Sequence, residues 1–171
     1  MSDIAVRVLG ETDWSVYREL RMTALKDSPN AFAATAAEEE VYGEHVWRSR
    51  MRRADRLIAM VGERPVGVAS VRTMHGEFSH VAEVFSVWVD PTLRGQGIAT
   101  ALMKACAAQA QRGGHTQLVY WVGSDNGRAV AFASGFGFRP TDMRRPMHGA
   151  GEDDEEIAMI LALLEPWASS N

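Results

Sequence analysis

Val87-Trp88-Val89-Asp90-Pro91-Thr92-Leu93-Arg94-Gly95-Gln96-Gly97-Ile98-Ala99 is the stretch that decides how this chain is read. It reads as a buried strand that stops at Pro91, turns through Arg94–Gly97 and enters a helix at Ile98. Pro91 lacks an N–H and cannot continue a ladder. Gly95 and Gly97 carry no Cβ, which opens unusual backbone angles and lets a ligand approach the main chain. The helix that follows leaves its first N–H groups unpaired, with the positive end of its dipole behind them. With the charge of Arg94 added, these features make a site for phosphate or pyrophosphate. Two other phosphate loops fit less well. A nucleotide P-loop needs Gly-Lys-Ser/Thr after its glycines, and Ile98-Ala99-Thr100 stands there. A dinucleotide fingerprint puts Thr100 at its third glycine and asks for a carboxylate about twenty residues on. The strand-like segment Thr116–Val122 contains none.

The whole chain sets bounds on that reading. Its 171 residues, 46% hydrophobic and 23% charged, suffice for one globular domain spanning residues 1–171. A net charge of −4 argues against a nucleic-acid surface. No run approaches the roughly 18 apolar residues of a membrane span, and Met1–Arg7 lacks the basic-then-apolar pattern of a secretory signal. A soluble cytoplasmic protein is expected, with no membrane partner. The lone Cys106 excludes internal disulfides and lies on the apolar stripe of a helix, where it reads as core. His45, His75, His80, His115 and His148 do not pair at metal-ligand spacing, so no metal is expected. His148–Glu156, glycines followed by acids, reads as an exposed loop rather than a calcium site.

The pattern Val89-x-Pro91-x-x-Arg94-Gly95-x-Gly97-Ile98-Ala99 closely resembles the acetyl-CoA signature of the GNAT superfamily, the acetyl-CoA-dependent N-acetyltransferases. Asn126-Gly-Arg-Ala-Val-Ala-Phe132, followed by Phe136-Gly-Phe138, resembles the family's second signature. The element order supports the likeness. A strand at Ile4–Leu9 precedes a helix capped by Asp13 and running to about Asp27, where Ser28-Pro29-Asn30 breaks it. Glu38-Glu39-Glu40 starts a second helix that runs toward Arg52 or Arg53. Leu57–Val61 and Val66–Met74 form a hairpin through Gly62–Pro65, and His80–Val89 leads into the phosphate turn. Helix Ile98–Arg112, strand Gln117–Val122, helix Arg128–Ser134, a strand from Phe138 and a last strand Ile157–Leu164 follow. The order β-α-α-β-β-β-α-β-α-β-β is that of the GNAT fold: α/β, with a mixed, mainly antiparallel sheet flanked by helices.

The resemblance implies transfer of an acetyl group from acetyl-CoA, as co-substrate, to a small-molecule or peptide amine by direct attack in a ternary complex. It assigns the pyrophosphate to the main chain of Arg94, Gly95, Gln96, Gly97, Ile98 and Ala99, and the pantetheine amides to the backbone at Val87, Trp88 and Val89. Asn126, with Arg128 beside it, stands where the family often touches the pantetheine arm, although an Asn there also suits a plain helix cap. Many relatives carry a tyrosine seven residues after that Asn to protonate the leaving thiolate, and here the position is Ala133. Ser134 and Tyr120 are substitutes, and water or no enzymic acid is the alternative. Glu83 stands where the family often has its general base, about 13 Å along the strand from Val87. The same residue also reads as an exposed carboxylate at a strand start. Phe32 could line an acceptor cleft and Glu39 could attract an ammonium, against a buried Phe32 and a solvated acidic first turn. Trp47, Trp88 and Tyr42 are further candidates for the lining. A homodimer is in keeping with the family. Two other readings stay open, a non-catalytic acyl-CoA sensor, favoured by Ala133, and transfer of a longer acyl group.

Overall fold

The computed structural model describes residues 3–32, 34–147 and 154–163. Strands β1 (Ile4–Val8), β2 (Asp55–Val61), β3 (Arg64–Thr73), β4 (Val81–Val89), β5 (Gln117–Gly123), β6 (Arg139–Pro146) and β7 (Glu155–Ala162) form a seven-stranded mixed sheet. Its order is β1-β2-β3-β4-β5-β7-β6, with β4 and β5 parallel. The helices are α1 (Trp14–Asp27), α2 (Ala36–Glu40), α3 (Glu44–Arg53), α4 (Ile98–Arg112) and α5 (Gly127–Phe136). This is the expected element order with one helix divided in two.

The chain divides into two compact units, Met1–Arg72 with Ser86–Cys106, and Thr73–Phe85 with Ala107–Asn171. In the first, β2 buries Arg56, Leu57, Ile58 and Ala59 in succession, as a strand covered on both faces must. Ile58 and Val68 meet Tyr17, Leu20 and Leu25 of α1, Trp47 and Met51 of α3, and Trp88. On the other face α4 approaches β3 at Gly67, where a Cβ would meet Leu102 Cδ1 at 3.0 Å, the Trp88 carbonyl oxygen at 3.1 Å and Ile98 Cγ2 at 3.2 Å. The close approach requires a residue without a side chain. In the second unit the first half of β4 pairs with β5 from Val81↔Gln117 to Val84↔Tyr120. Val81, Val119 and Ala158 form a small apolar cluster there, with Met74, Trp121 and Ile160 against it.

Three local expectations are corrected. The helix expected from Glu38 to Arg52 or Arg53 is interrupted at Val41–Gly43, giving α2 and α3. It begins earlier, at a Thr35 cap whose hydroxyl accepts the Glu38 N–H at 3.2 Å. Asp13 does not cap α1. Its carboxylate turns back to accept the Gly10 N–H at 2.8 Å and an Arg7 N–H at 2.9 Å. Of the acidic segment His148–Glu156, residues 148–153 lie outside those described, while Glu155 and Glu156 belong to β7, paired with Pro146 and Arg145.

The break after α2 goes with an internal charge network. Glu39 is fully buried, not solvated. Arg21 of α1 donates to both its oxygens at 3.1 Å, and Arg50 of α3 donates at 2.7 Å, so one carboxylate ties three helices. Burial would raise its carboxyl, but the two guanidinium groups outweigh that and hold it below the ordinary 4.5. The stability it contributes is therefore present above the ordinary glutamate range and is lost only as pH falls through the lower folded value. We expect Glu39→Gln to cost about 3 kcal/mol at neutral pH, because two arginines lose their shared anion. Urea unfolding at a series of pH values checks this: the deficit should shrink as the wild type itself is acidified.

Candidate active site

The turn between β4 and α4 is built by its side chains and its glycines. Asp90 accepts the Thr92 N–H at 3.0 Å, the Thr92 hydroxyl at 2.8 Å and an Arg64 N–H at 2.6 Å, which fixes the one-turn helix Pro91–Leu93. The bonds from the Thr92 hydroxyl and N–H, with the charge of Arg64, hold its carboxyl below the usual range. Gly95 and Gly97 have φ of +83° and +85°, the left-handed region that penalises any side chain. No atom lies within 4 Å of where a Cβ would stand at either glycine, so the main chain there is open to approach. The Gly97 carbonyl accepts the first helical bond from Ala101 at 3.0 Å. The N–H groups of Ile98, Ala99 and Thr100 come before that bond and have no acceptor within the helix. Ile98, only 2% exposed, pins this end of α4 to the core. These features suit the phosphate chemistry expected of the stretch.

Arg94 is half exposed, with one guanidinium nitrogen 3.7 Å from Asp27 at the end of α1. Asp27 also accepts the Ser28 hydroxyl at 2.7 Å and the Trp88 indole N–H at 2.9 Å. These bonds, and the charge of Arg94, hold the Asp27 carboxyl below its ordinary value. The Trp88 side chain is therefore an anchor between β4 and α1, and it borders a cavity with Leu20, Thr23 and Pro65. Trp47 is likewise core, fully buried and edge-on to Tyr17 with ring centroids 6.0 Å apart. Phe32 is half-buried beneath the Arg21 guanidinium, 4.7 Å from its ring centre. Glu39, held by Arg21 and Arg50, is occupied inside unit one.

Ser86, in the middle of β4, has φ +53°, a strained conformation for a residue with a side chain. It lies between Glu83 and the Val87–Val89 backbone and interrupts the regular alternation of the strand.

In the second unit Glu83 is 3% exposed, which overturns the reading of an exposed carboxylate at a strand start. Arg145 of β6 reaches within 3.9 Å of it, donates to Glu156 at 2.6 Å and lies over the Trp121 ring at 4.3 Å. Tyr120 is not brought to Glu83. The register pairs Glu83 with Val119 and Val84 with Tyr120, so their side chains leave opposite faces of the sheet. Tyr120 packs edge-on to Phe138 at 6.0 Å. Asn126 caps α5, its side-chain oxygen accepting the Ala129 N–H at 3.1 Å, and Arg128 is exposed on the first turn. Ala133 is fully buried and Ser134 beside it is exposed. Among the described residues no three His, Cys, Asp or Glu gather as a metal site, and no helix is long and apolar enough to cross a membrane. Asp27, Ser86, Trp121, Arg145 and Glu156 were not legible as site residues. Only the cross-strand pairing of β6 and β7 puts Arg145 beside Glu156, and no local motif marks that register.

A strand, an open glycine turn and a helix N-terminus in this sheet order define the α/β fold of the acetyltransferases named next. Residues 17–138 match the acetyltransferase (GNAT) family, and the chain belongs to it. An uncharacterized N-acetyltransferase of Methanocaldococcus jannaschii is 31% identical over 90 residues, 51% of this chain and 40% of that protein. The match thus spans well under half of that relative. The fold is shared with the yncA protein of Salmonella typhimurium, solved with its cofactor acetyl-CoA (TM-score 0.71, 20% identity, 98% of each chain covered). It is shared also with the ribosomal-protein-S18-alanine N-acetyltransferase of Escherichia coli (0.69, 18%, 99% of each). A GNAT acetyltransferase of Streptococcus pneumoniae superposes with a TM-score of 0.78 at 13% identity, covering 94% of this chain and 99% of that one.

Replacing Gly97 by Ala should lower stability by about 1 kcal/mol through backbone strain alone, since the space is open. Gly127→Ala, in a helical turn without positive φ, should leave thermal stability unchanged or raise it. Melting curves of the two variants, side by side, check the assignment of strain.

Proposed function

We propose that this chain is an N-acetyltransferase that moves acetyl from acetyl-CoA to a primary amine of a small molecule or peptide in a ternary complex. The observation that carries the reading is the open turn at Gly95 and Gly97, both at positive φ, directly before the unpaired N–H groups of α4 and beside Arg94. The acetyl-CoA bound to the Salmonella protein of the same fold supports it. Arg94 and the main chain of Gly95–Ala99 hold the pyrophosphate. The backbone at Val87 and Val89 aligns the pantetheine arm and Asn126, with Arg128, supports it. Acetyl-CoA supplies the activated thioester. The family match spans both compact units, which supports one functional domain.

Glu83 is the proposed general base. A buried carboxylate with a cation nearby can take a proton through water as the acceptor nitrogen bonds to the acyl carbon and the carbon–sulfur bond breaks. The thiolate is a good leaving group, so its departure needs no enzymic acid. With alanine at position 133, Ser134 and Tyr120 are the side-chain candidates for an acid, Tyr120 on the opposite face of the sheet from Glu83.

Ala133 also favours a second reading, an acyl-CoA sensor without chemistry. Thiol release from acetyl-CoA across a panel of amines separates the two, and comparison of acyl donors tests transfer of a longer chain. Calorimetric titration of CoA-free protein with acetyl-CoA should show micromolar binding, which Gly97→Val should weaken at least tenfold. Undiminished affinity in a folded variant would remove the loop from the site. Glu83→Gln should lower kcat about a hundredfold or more and abolish the acid limb of the pH–rate profile. An unchanged profile would exclude it as the base.

A further inference from the structure

Glu83, Trp121, Arg145 and Glu156 form a group within the second unit that the proposed chemistry uses only in part. Two carboxylates and one guanidinium leave it with a net charge of −1. Glu83 and Trp121 leave the same face of the sheet: Glu83 pairs with Val119, two residues before Trp121. A cation already sits among them. The Arg145 guanidinium lies 4.3 Å over the indole face, 2.6 Å from the Glu156 carboxylate and 3.9 Å from that of Glu83. An indole face and carboxylates are what a desolvated cation seeks. Arg145 itself is loosely kept. Its side chain is 43% exposed, against 4% for Glu83, and it stands on β6, the last strand of the sheet order.

We infer that Glu156 and Trp121, beside Glu83, form a subsite for a cationic head group of the acceptor, and that Arg145 is its internal occupant until the acceptor displaces it. The inference deepens the proposed function and rests on Glu83 being the base. It assigns the acceptor to amines that carry a second positive charge a short chain away from the nitrogen that reacts, such as diamines, rather than amines with a neutral or acidic tail. One ammonium in the subsite brings the other end of such a molecule within reach of the buried carboxylate. Exchange of one cation for another keeps Glu156 paired throughout, so that carboxylate is not stranded, and leaves Glu83 to take the proton.

The test uses three amines on one five-carbon chain, cadaverine, pentylamine and aminovalerate, with wild type and the variants Arg145→Lys, Arg145→Gln and Arg145→Ala. Acetyl-CoA titration and thermal melting come first for each variant. Loss of donor binding in the wild type would refute the proposed function, not the subsite. Given donor binding, emptying the subsite should lower the KM or Kd for cadaverine about fivefold in Arg145→Gln and Arg145→Ala, equivalent to about 1 kcal/mol for a half-exposed ion pair. Arg145→Lys should stay close to wild type, and the KM for pentylamine should show no comparable fall. Where no amine is turned over, calorimetric binding of cadaverine gives the same comparison. Three results would overturn the inference: weaker aminovalerate use in the variants, which makes Arg145 a carboxylate receptor; equal change for all three amines; or loss of stability with no gain in cadaverine affinity, which makes it a structural strut.

Discussion

The close approach of α4 to β3 at Gly67 is the constraint on which the glycine turn and the start of α4 depend. A helix can seat its first and fifth residues, Ile98 and Leu102, about 3 Å from where a Cβ would stand only if none stands there. That seat fixes the position of the helix N-terminus, and through it the direction of three N–H groups. The turn before the helix then has to reverse in a few residues. It does so with two left-handed glycines and an aspartate that caps its own one-turn helix. Each element here is a consequence of the one before it, running from an absent side chain in a strand to an open stretch of main chain.

Charge burial is handled differently in the two units. In the first, Glu39 is enclosed by two arginines that both donate to it, an arrangement whose effect is to hold three short helices in register. In the second, the buried Glu83 has its cation at 3.9 Å, and that cation bonds more closely to another carboxylate. The first network is closed and structural. The second is looser, because the cation its carboxylates share is half exposed.

The fold was legible because its signals are local. Pro91, the glycine turn and the Asn126 cap each act within a few residues, and each appears where the sequence places it. The errors share a physical cause. The helix from Glu38 was read as continuous because acids suit a helix start, whereas Gly43 and the pull of Arg21 and Arg50 on Glu39 divide it. Asp13 was read as a cap, and Arg7, from a strand, draws its carboxylate away. Trp88, read as lining, also serves as an anchor, because Asp27 at the end of α1 accepts its indole N–H. The surroundings of Glu83 come from cross-strand register and were out of reach of any single-segment reading.

Asp27 ends α1, receives the indole of Trp88 and stands beside Arg94, so one carboxylate joins a helix end, a strand and a turn. A one-turn helix, Pro29–Ala31, follows directly, and α2 begins beyond its Thr35 cap. The helix end, the strand tryptophan and the turn arginine thus share one anchor, so a change at Asp27 alone would loosen all three together.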